Sequence, residues 1–162
     1  MTDQSSPNNV DDLDFKILQI LSEDGRKSHR SIAEKLKKSP VTIKNHVEEM
    51  EEKGIIKSYG IQIDFEKLGY EIIALIEITV SKGKLLEVEN KIAHNPNVFA
   101  VYDITGTYDA LILARFKTRA ELSEMIKDEL LASPFVERTN THLVLNVIKE
   151  HSSFNELMTR NE

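Results

Sequence analysis

Apolar residues recur along this chain at two different periods, and the change from one to the other divides it. Leu13, Ile17, Leu18, Ile20 and Leu21 follow the spacing of about 3.6 that marks one face of a helix. Asp11 and Asp12 place acids at the start of that helix, where the backbone dipole is positive, and Asp24-Gly25 supplies a stop. Ser28 is a candidate N-cap for a second, short helix whose inner face is Ile32, Ala33 and Leu36. Ser39-Pro40, a capping hydroxyl followed by proline at the first helical position, predicts a third helix over 40–53, ending at Gly54. Ile43, Val47 and Met50, spaced i, i+4, i+7, form its inward stripe. Beyond Gly54 the stretch from Ile55 to Asp64 partly alternates, as a hairpin or wing would.

The second half reads as strand and helix in turn. Strands are predicted over 72–80, 98–105, 110–116 and 136–149, and helices over 85–93 and from the capping box Thr118-Arg119-Ala120-Glu121 to about Leu131. Gly106-Thr107-Tyr108-Asp109 is a tight connection, and a short helix carrying Phe154 and Leu157 is expected at the C-terminus. The order βαββαβ is that of a ferredoxin-like domain: four antiparallel strands with two helices on one face. The expected organisation is a disordered tail at 1–10, a helix-turn-helix domain with a wing at 11–64, a linker at 65–71, a βαββαβ domain at 72–150 for effector binding and oligomerisation, and a C-terminal helix or tail at 151–162. The fold class is therefore α+β.

Composition narrows the chemistry. Hydrophobic residues make up 40% and charged residues 30%, which suits a folded soluble chain. Without cysteine there is no disulfide scaffold, Cys-type zinc site or thiol nucleophile. His29, His46, His94, His142 and His151 form no paired metal-binding motif, and no paired-carboxylate, Ser-His-Asp or phosphate-loop signature is present. Neither a catalytic residue nor a metal ligand nor a cofactor is expected. No apolar run approaches the ~18 residues of a spanning helix, the first nine residues lack the apolar core of a signal peptide, and the expected location is the cytoplasm.

The net charge of −6 conceals a strong asymmetry. From Arg26 to His46 there are seven basic residues against one acid, Glu34, a local charge of +6. Three short helices with a compact turn, Lys37-Lys38-Ser39-Pro40, match a helix-turn-helix. The third helix is neutral to basic in its first half, whereas Glu48, Glu49, Glu51 and Glu52 crowd its second half and would repel phosphates. It is therefore expected to enter a major groove by its N-terminal end, offering Ser39, Val41, Thr42, Lys44 and Asn45. Asn suits adenine, Lys suits guanine, and Thr or Val can touch a thymine methyl. Arg26, Lys27, Arg30, Lys37 and Lys38 would position the domain on phosphates of double-stranded DNA. An interaction module that never meets DNA, its basic run a solvated surface, is the competing reading.

Taken in order and spacing, Asp12-Leu13-Asp14-Phe15-Lys16-Ile17-Leu18, Gly25-Arg26-Lys27-Ser28, Ile32-Ala33-Glu34-Lys35-Leu36, Ser39 to Val47, Glu52-Lys53-Gly54-Ile55-Ile56, Gly106-Thr107-Tyr108-Asp109 and Thr139-Asn140-Thr141 resemble the Lrp/AsnC, or feast/famine, family of transcription regulators. The resemblance spans roughly Asp11 to Glu150. It implies a helix-turn-helix joined by a hinge to an amino-acid-sensing domain that builds homodimers and often octamers. The family often carries arginine in the middle of the recognition helix. His46 stands there in this chain and is expected to contact DNA less strongly, with binding that weakens as the ring loses its proton.

The resemblance also places an effector pocket between subunits, lined by the Gly106–Asp109 turn and the fourth strand. Gly106, Tyr108, Asp109, Thr139 and Thr141 are carried over on that basis. Their chemistry fits an amino acid: the turn offers flexible backbone and an acid, and Thr139 and Thr141, spaced i, i+2, put both hydroxyls on one face of a strand. The same residues would serve equally as ordinary turn and strand residues.

Overall fold

The computed structural model describes residues 10–150 and 154–158, so all of the expected tail at 1–10 except Val10 lies outside the described residues. The chain divides into two compact units: residues 1–62 together with 149–162, and residues 63–148.

The first unit is built on α1 (Asp12–Glu23), α2 (His29–Leu36) and α3 (Pro40–Glu52). Each begins on a side chain that accepts orphaned backbone N–H groups. Asp11 accepts from Leu13 and Asp14, while Asp14 Oδ2 accepts the Asp11 N–H, closing a reciprocal capping box. Ser28 accepts from Ser31 and Ser39 from Thr42. The helices bury one cluster, Ile17, Ile20, Ile32, Ala33, Ile43, Val47 and Met50, against which Leu13, Leu36, Ile55 and Ile56 pack.

The hairpin expected over 55–64 does not form: no strand lies between α3 and residue 72. Ile55 and Ile56 donate their N–H groups to the Met50 carbonyl, closing the end of α3 around Gly54 at φ 68, and their side chains join the helical core. Tyr59 is tied back to α3, its hydroxyl donating to Glu51 at 2.8 Å. The apolar residues at the start of the alternating run are thus consumed by the helices, and no strand faces the rest.

The second unit is one antiparallel sheet of β1 (Ile72–Val80), β2 (Val98–Asp103), β3 (Ala110–Phe116) and β4 (Val136–Leu143), in spatial order β2-β3-β1-β4. Alternation decides its faces. Ala74, Ile76, Ile78 and Val80 of β1 and Ala110, Ile112, Ala114 and Phe116 of β3 are buried beneath α4 (Leu85–Ile92), α5 (Arg119–Glu124) and the π-helical turns Met125–Leu131 that continue α5. Residues 65–71, expected to link the domains, contain a 3-10 turn at Glu66–Leu68, and the Phe65 ring lies 4.6 Å from the Arg115 guanidinium of β3. β4 is shorter than expected, because its only neighbour, β1, begins at Ile72 and the last bond is from Val144 N–H to the Ile73 carbonyl. The C-terminal segment belongs to the first unit, where α6 (Phe154–Met158) stacks Phe154 on Phe15 of α1 with ring centroids 6.4 Å apart.

Candidate nucleic-acid interface and effector turn

The first unit presents the N-terminal half of α3 to solvent because Ile43, Val47 and Met50 hold the opposite stripe in the core. Val41 is 66% exposed, Lys44 and Asn45 are exposed beside it, and Thr42 is half-buried. The Ser39 hydroxyl lies 2.8 Å from that of Thr42, so these two groups orient each other at the mouth of the helix. Lys44 pairs with Glu48 at 3.3 Å, drawing its ammonium toward the acidic half until a stronger anion competes. Arg26, Lys27, Arg30, Lys37 and Lys38 are all exposed. Arg26 pairs with Asp24 and Arg30 with Glu34, both solvent-exposed contacts of small net value. Arg26 also holds the Asp24 carboxyl below the usual carboxylate range, by side-chain and then backbone hydrogen bonds. Lys37 adopts φ 54 as the C-cap of α2, which turns the chain into α3.

His46 does not join this exposed row. It sits three residues after the buried Ile43, on the inner flank of α3, and its Nδ1 lies 2.7 Å from Asp14 Oδ1. One ring nitrogen is thus engaged by α1, and the side chain is half-buried rather than fully presented to solvent. Asp11, Asp14 and His46 bring ligand atoms within 4.8 Å of one another, the donor set closest to a metal site among the described residues. Their lone pairs are already directed at the start of α1 and at each other, and the positive end of that helix opposes a cation.

In the second unit, Gly106 takes φ 135, a backbone conformation open to glycine, and lets the chain reverse into β3. Asp109 then locks the turn. Its N–H donates to the Ile78 carbonyl, its carbonyl accepts from Ile104, and its Oδ2 accepts the Val80 N–H at 2.8 Å. Tyr108 is half-buried beside it. Thr139 and Thr141 pair with Ile78 and Ile76 and therefore point to the helix-covered side of the sheet, half-buried. The residue held by Asp109, Val80, lies one strand over and two residues along from Thr139, about 8 Å by sheet geometry. Within one chain the turn and the threonine pair share one end of the sheet, Asp109 and Thr139 flanking Ile78 of β1 from opposite sides.

Two polar groups in this unit escaped the sequence reading. Glu89 is buried on the inner side of α4, with Oε1 lacking any hydrogen-bond partner, and burial first, then the Asp103 carboxylate, push its pKa up. Its spacing from Leu85 and Ile92, i+4 and i−3, marks it as inward-facing and was the available signal. On the uncovered face, Glu77 Oε2 accepts from Asn140 at 2.8 Å and lies 3.1 Å from His142 Nε2; the Asn140 bond and then the His142 bond hold Glu77 below the usual carboxylate range. That triad joins residues more than sixty positions apart, which no local pattern reveals.

A basic helix-turn-helix head and a separate βαββαβ unit define a DNA-binding transcription regulator with a ligand-binding domain. Comparison with known proteins agrees for both halves. The winged helix-turn-helix DNA-binding model matches residues 10–57 and that of the Lrp/AsnC ligand binding domain residues 73–154. The chain belongs to the Lrp/AsnC family. It is 42% identical over 141 residues to an uncharacterized HTH-type transcriptional regulator of Pyrococcus furiosus, covering 87% of this chain and 95% of that one. Escherichia coli AsnC superposes with a TM-score of 0.83 at 26% identity, over 88% of this chain and 97% of AsnC. The transcriptional regulator NMB0573 of Neisseria meningitidis, solved as its L-Met complex, gives a TM-score of 0.80 at 28% identity, over 91% and 98% of the two chains.

Proposed function

We propose that this regulator reads duplex DNA with Ser39, Val41, Thr42, Lys44 and Asn45, steadies itself on phosphates with Arg26, Lys27, Arg30, Lys37 and Lys38, and answers to an amino acid bound at the 63–148 unit. The observation that carries the DNA reading is the split of α3: an exposed, neutral-to-basic first half ahead of an acidic second half. The acidic second half would be repelled by a polyanion, which supports entry of the helix into the groove by its first half.

The effector proposal rests on Gly106, Tyr108, Asp109, Thr139 and Thr141 and is supported by the L-Met complex of the Neisseria regulator. In the resembled family such a pocket lies between subunits, and a pocket using both the turn and the threonines is proposed to be completed by a second subunit. Homodimers, assembling further to octamers, are the proposed form. Support comes from large apolar side chains left in water: Ile61 is 83% exposed, Leu145 91% and Ile148 94%. Among the described residues no helix is long and apolar enough to cross a membrane, and the proposed location is the cytoplasm. The relatives are transcriptional regulators, and no catalytic role is proposed.

The experiment is an electrophoretic shift on the chain's own upstream region across a salt series, with and without each of the twenty amino acids. Retardation that steepens at low salt is expected. Failure to retard any duplex at low ionic strength would leave an oligomeric sensor without DNA.

A further inference from the structure

Among the described residues, a single hydrogen bond joins α1 to α3: Nδ1 of His46 to Oδ1 of Asp14, at 2.7 Å across 32 residues of sequence. Both helices also contribute apolar residues to one core cluster, Ile17 and Ile20 from α1 and Ile43, Val47 and Met50 from α3. Apolar packing is non-directional, so it sets the separation of two helices more firmly than the roll of one about its own axis. A hydrogen bond prefers a near-linear geometry and restrains that roll.

Asp14 is well placed to act as the fixed end. It is 8% exposed, sits in the first turn of α1, and has its other oxygen held by the Asp11 N–H at 3.0 Å. Oδ1 is thereby aimed in one direction. His46 immediately follows Lys44 and Asn45, the two long polar side chains of the exposed half. The charged groups around its ring are Asp14 and Asp11 from α1 and Glu49 one turn further along α3.

We infer that Asp14 is a positioning residue for DNA recognition: acting through His46, it fixes the roll of α3 and so decides how Lys44 and Asn45 meet the base edges. The inference rests on the reading that the first half of α3 enters the groove. Base readout depends on hydrogen bonds that weaken steeply with misalignment, whereas attraction to phosphates tolerates a small roll. Loss of the link therefore lowers discrimination more than affinity for DNA in general.

The test uses the full-length protein, a duplex selected from a random library by the wild type, and a scrambled duplex of the same composition. Asp14→Asn, His46→Ala and the double variant are measured on both. Each single variant is expected to lose about tenfold in affinity for the selected duplex, the scale of one good base contact. Affinity for the scrambled duplex should stay within about twofold, with an unchanged salt slope. The double variant should be no worse than either single one, because both remove the same link. His46→Arg, whose guanidinium can donate to a carboxylate, should restore selection in the presence of Asp14 and fail to restore it with Asp14→Asn. Equal loss on both duplexes, additive losses, unchanged selection, or rescue independent of Asp14 would each overturn the inference. Thermal melts separate it from unfolding: a variant that melts like the wild type and still loses selection supports positioning, and one whose loss tracks its melting opposes it. A wild type that prefers no duplex in the library would instead defeat the underlying reading of α3.

Discussion

The carboxylate of Asp109 accepts the backbone N–H of Val80 at 2.8 Å, so the turn between β2 and β3 is fastened to the end of β1. This acid has a structural task whatever else it does. Asp109→Ala leaves a part-buried N–H without its acceptor and should destabilise the fold by about 1–3 kcal/mol. Asp109→Asn keeps an acceptor oxygen and should recover most of that loss. Urea unfolding measures the stability, and an amino-acid thermal-shift screen measures binding. A stable Asp109→Asn protein that no longer responds to an amino acid would assign the negative charge itself to the effector.

The two classes of DNA contact should separate under substitution. Asn45→Ala removes a base-reading group and should weaken binding to a selected duplex by about 1–3 kcal/mol, relaxing preference at one position. Lys38→Ala should weaken all duplexes alike and reduce the logarithmic salt slope by about 1. Titrations of both variants across a salt series distinguish the outcomes.

Glu89 provides a stability probe with a definite sign. Burial, and next the Asp103 carboxylate, raise its pKa, so the folded state favours the protonated form. Its contribution is fully present below the ordinary carboxylate range and is lost as pH rises through the elevated folded value. Glu89→Gln, neutral and similar in shape, should be more stable than the wild type near neutral pH, with the difference shrinking toward pH 4. Chemical denaturation at several pH values checks this; a gap that widens on acidification would contradict it.

The Phe15–Phe154 stack within the first unit should be measurable by a double-mutant cycle. Substituting either ring by leucine, then both, isolates the pair term, expected at about 0.5–1.5 kcal/mol. A coupling near zero would mean that α6 rests on α1 without contributing to its stability.

Local chemistry made much of the architecture readable. Ser28 and Ser39-Pro40 announce helix starts, and Ile72–Val80 and Ala110–Phe116 carry enough alternation to bound two strands. The errors occurred where a long-range partner decides the outcome. Ile55 and Ile56 alternate into a strand-like run, yet the helical core claims them. The chain after Leu143 is apolar enough for a strand, yet Leu143 already pairs with Ala74 and β1 begins only two residues further on, at Ile72, too short to pair as far as residue 149. The exposed half of α3 follows from helical periodicity alone. The inward turn of His46 does not, because it depends on Asp14, which sits 32 positions earlier.

The return of α6 to the first unit gives that unit a discontinuous sequence: Phe154 stacks on Phe15 and the Asn155 amide donates to Glu23. A head cut out after residue 62 would lose part of its own surface packing. Exchange of heads between relatives would have to carry the segment around Phe154 along with the three helices.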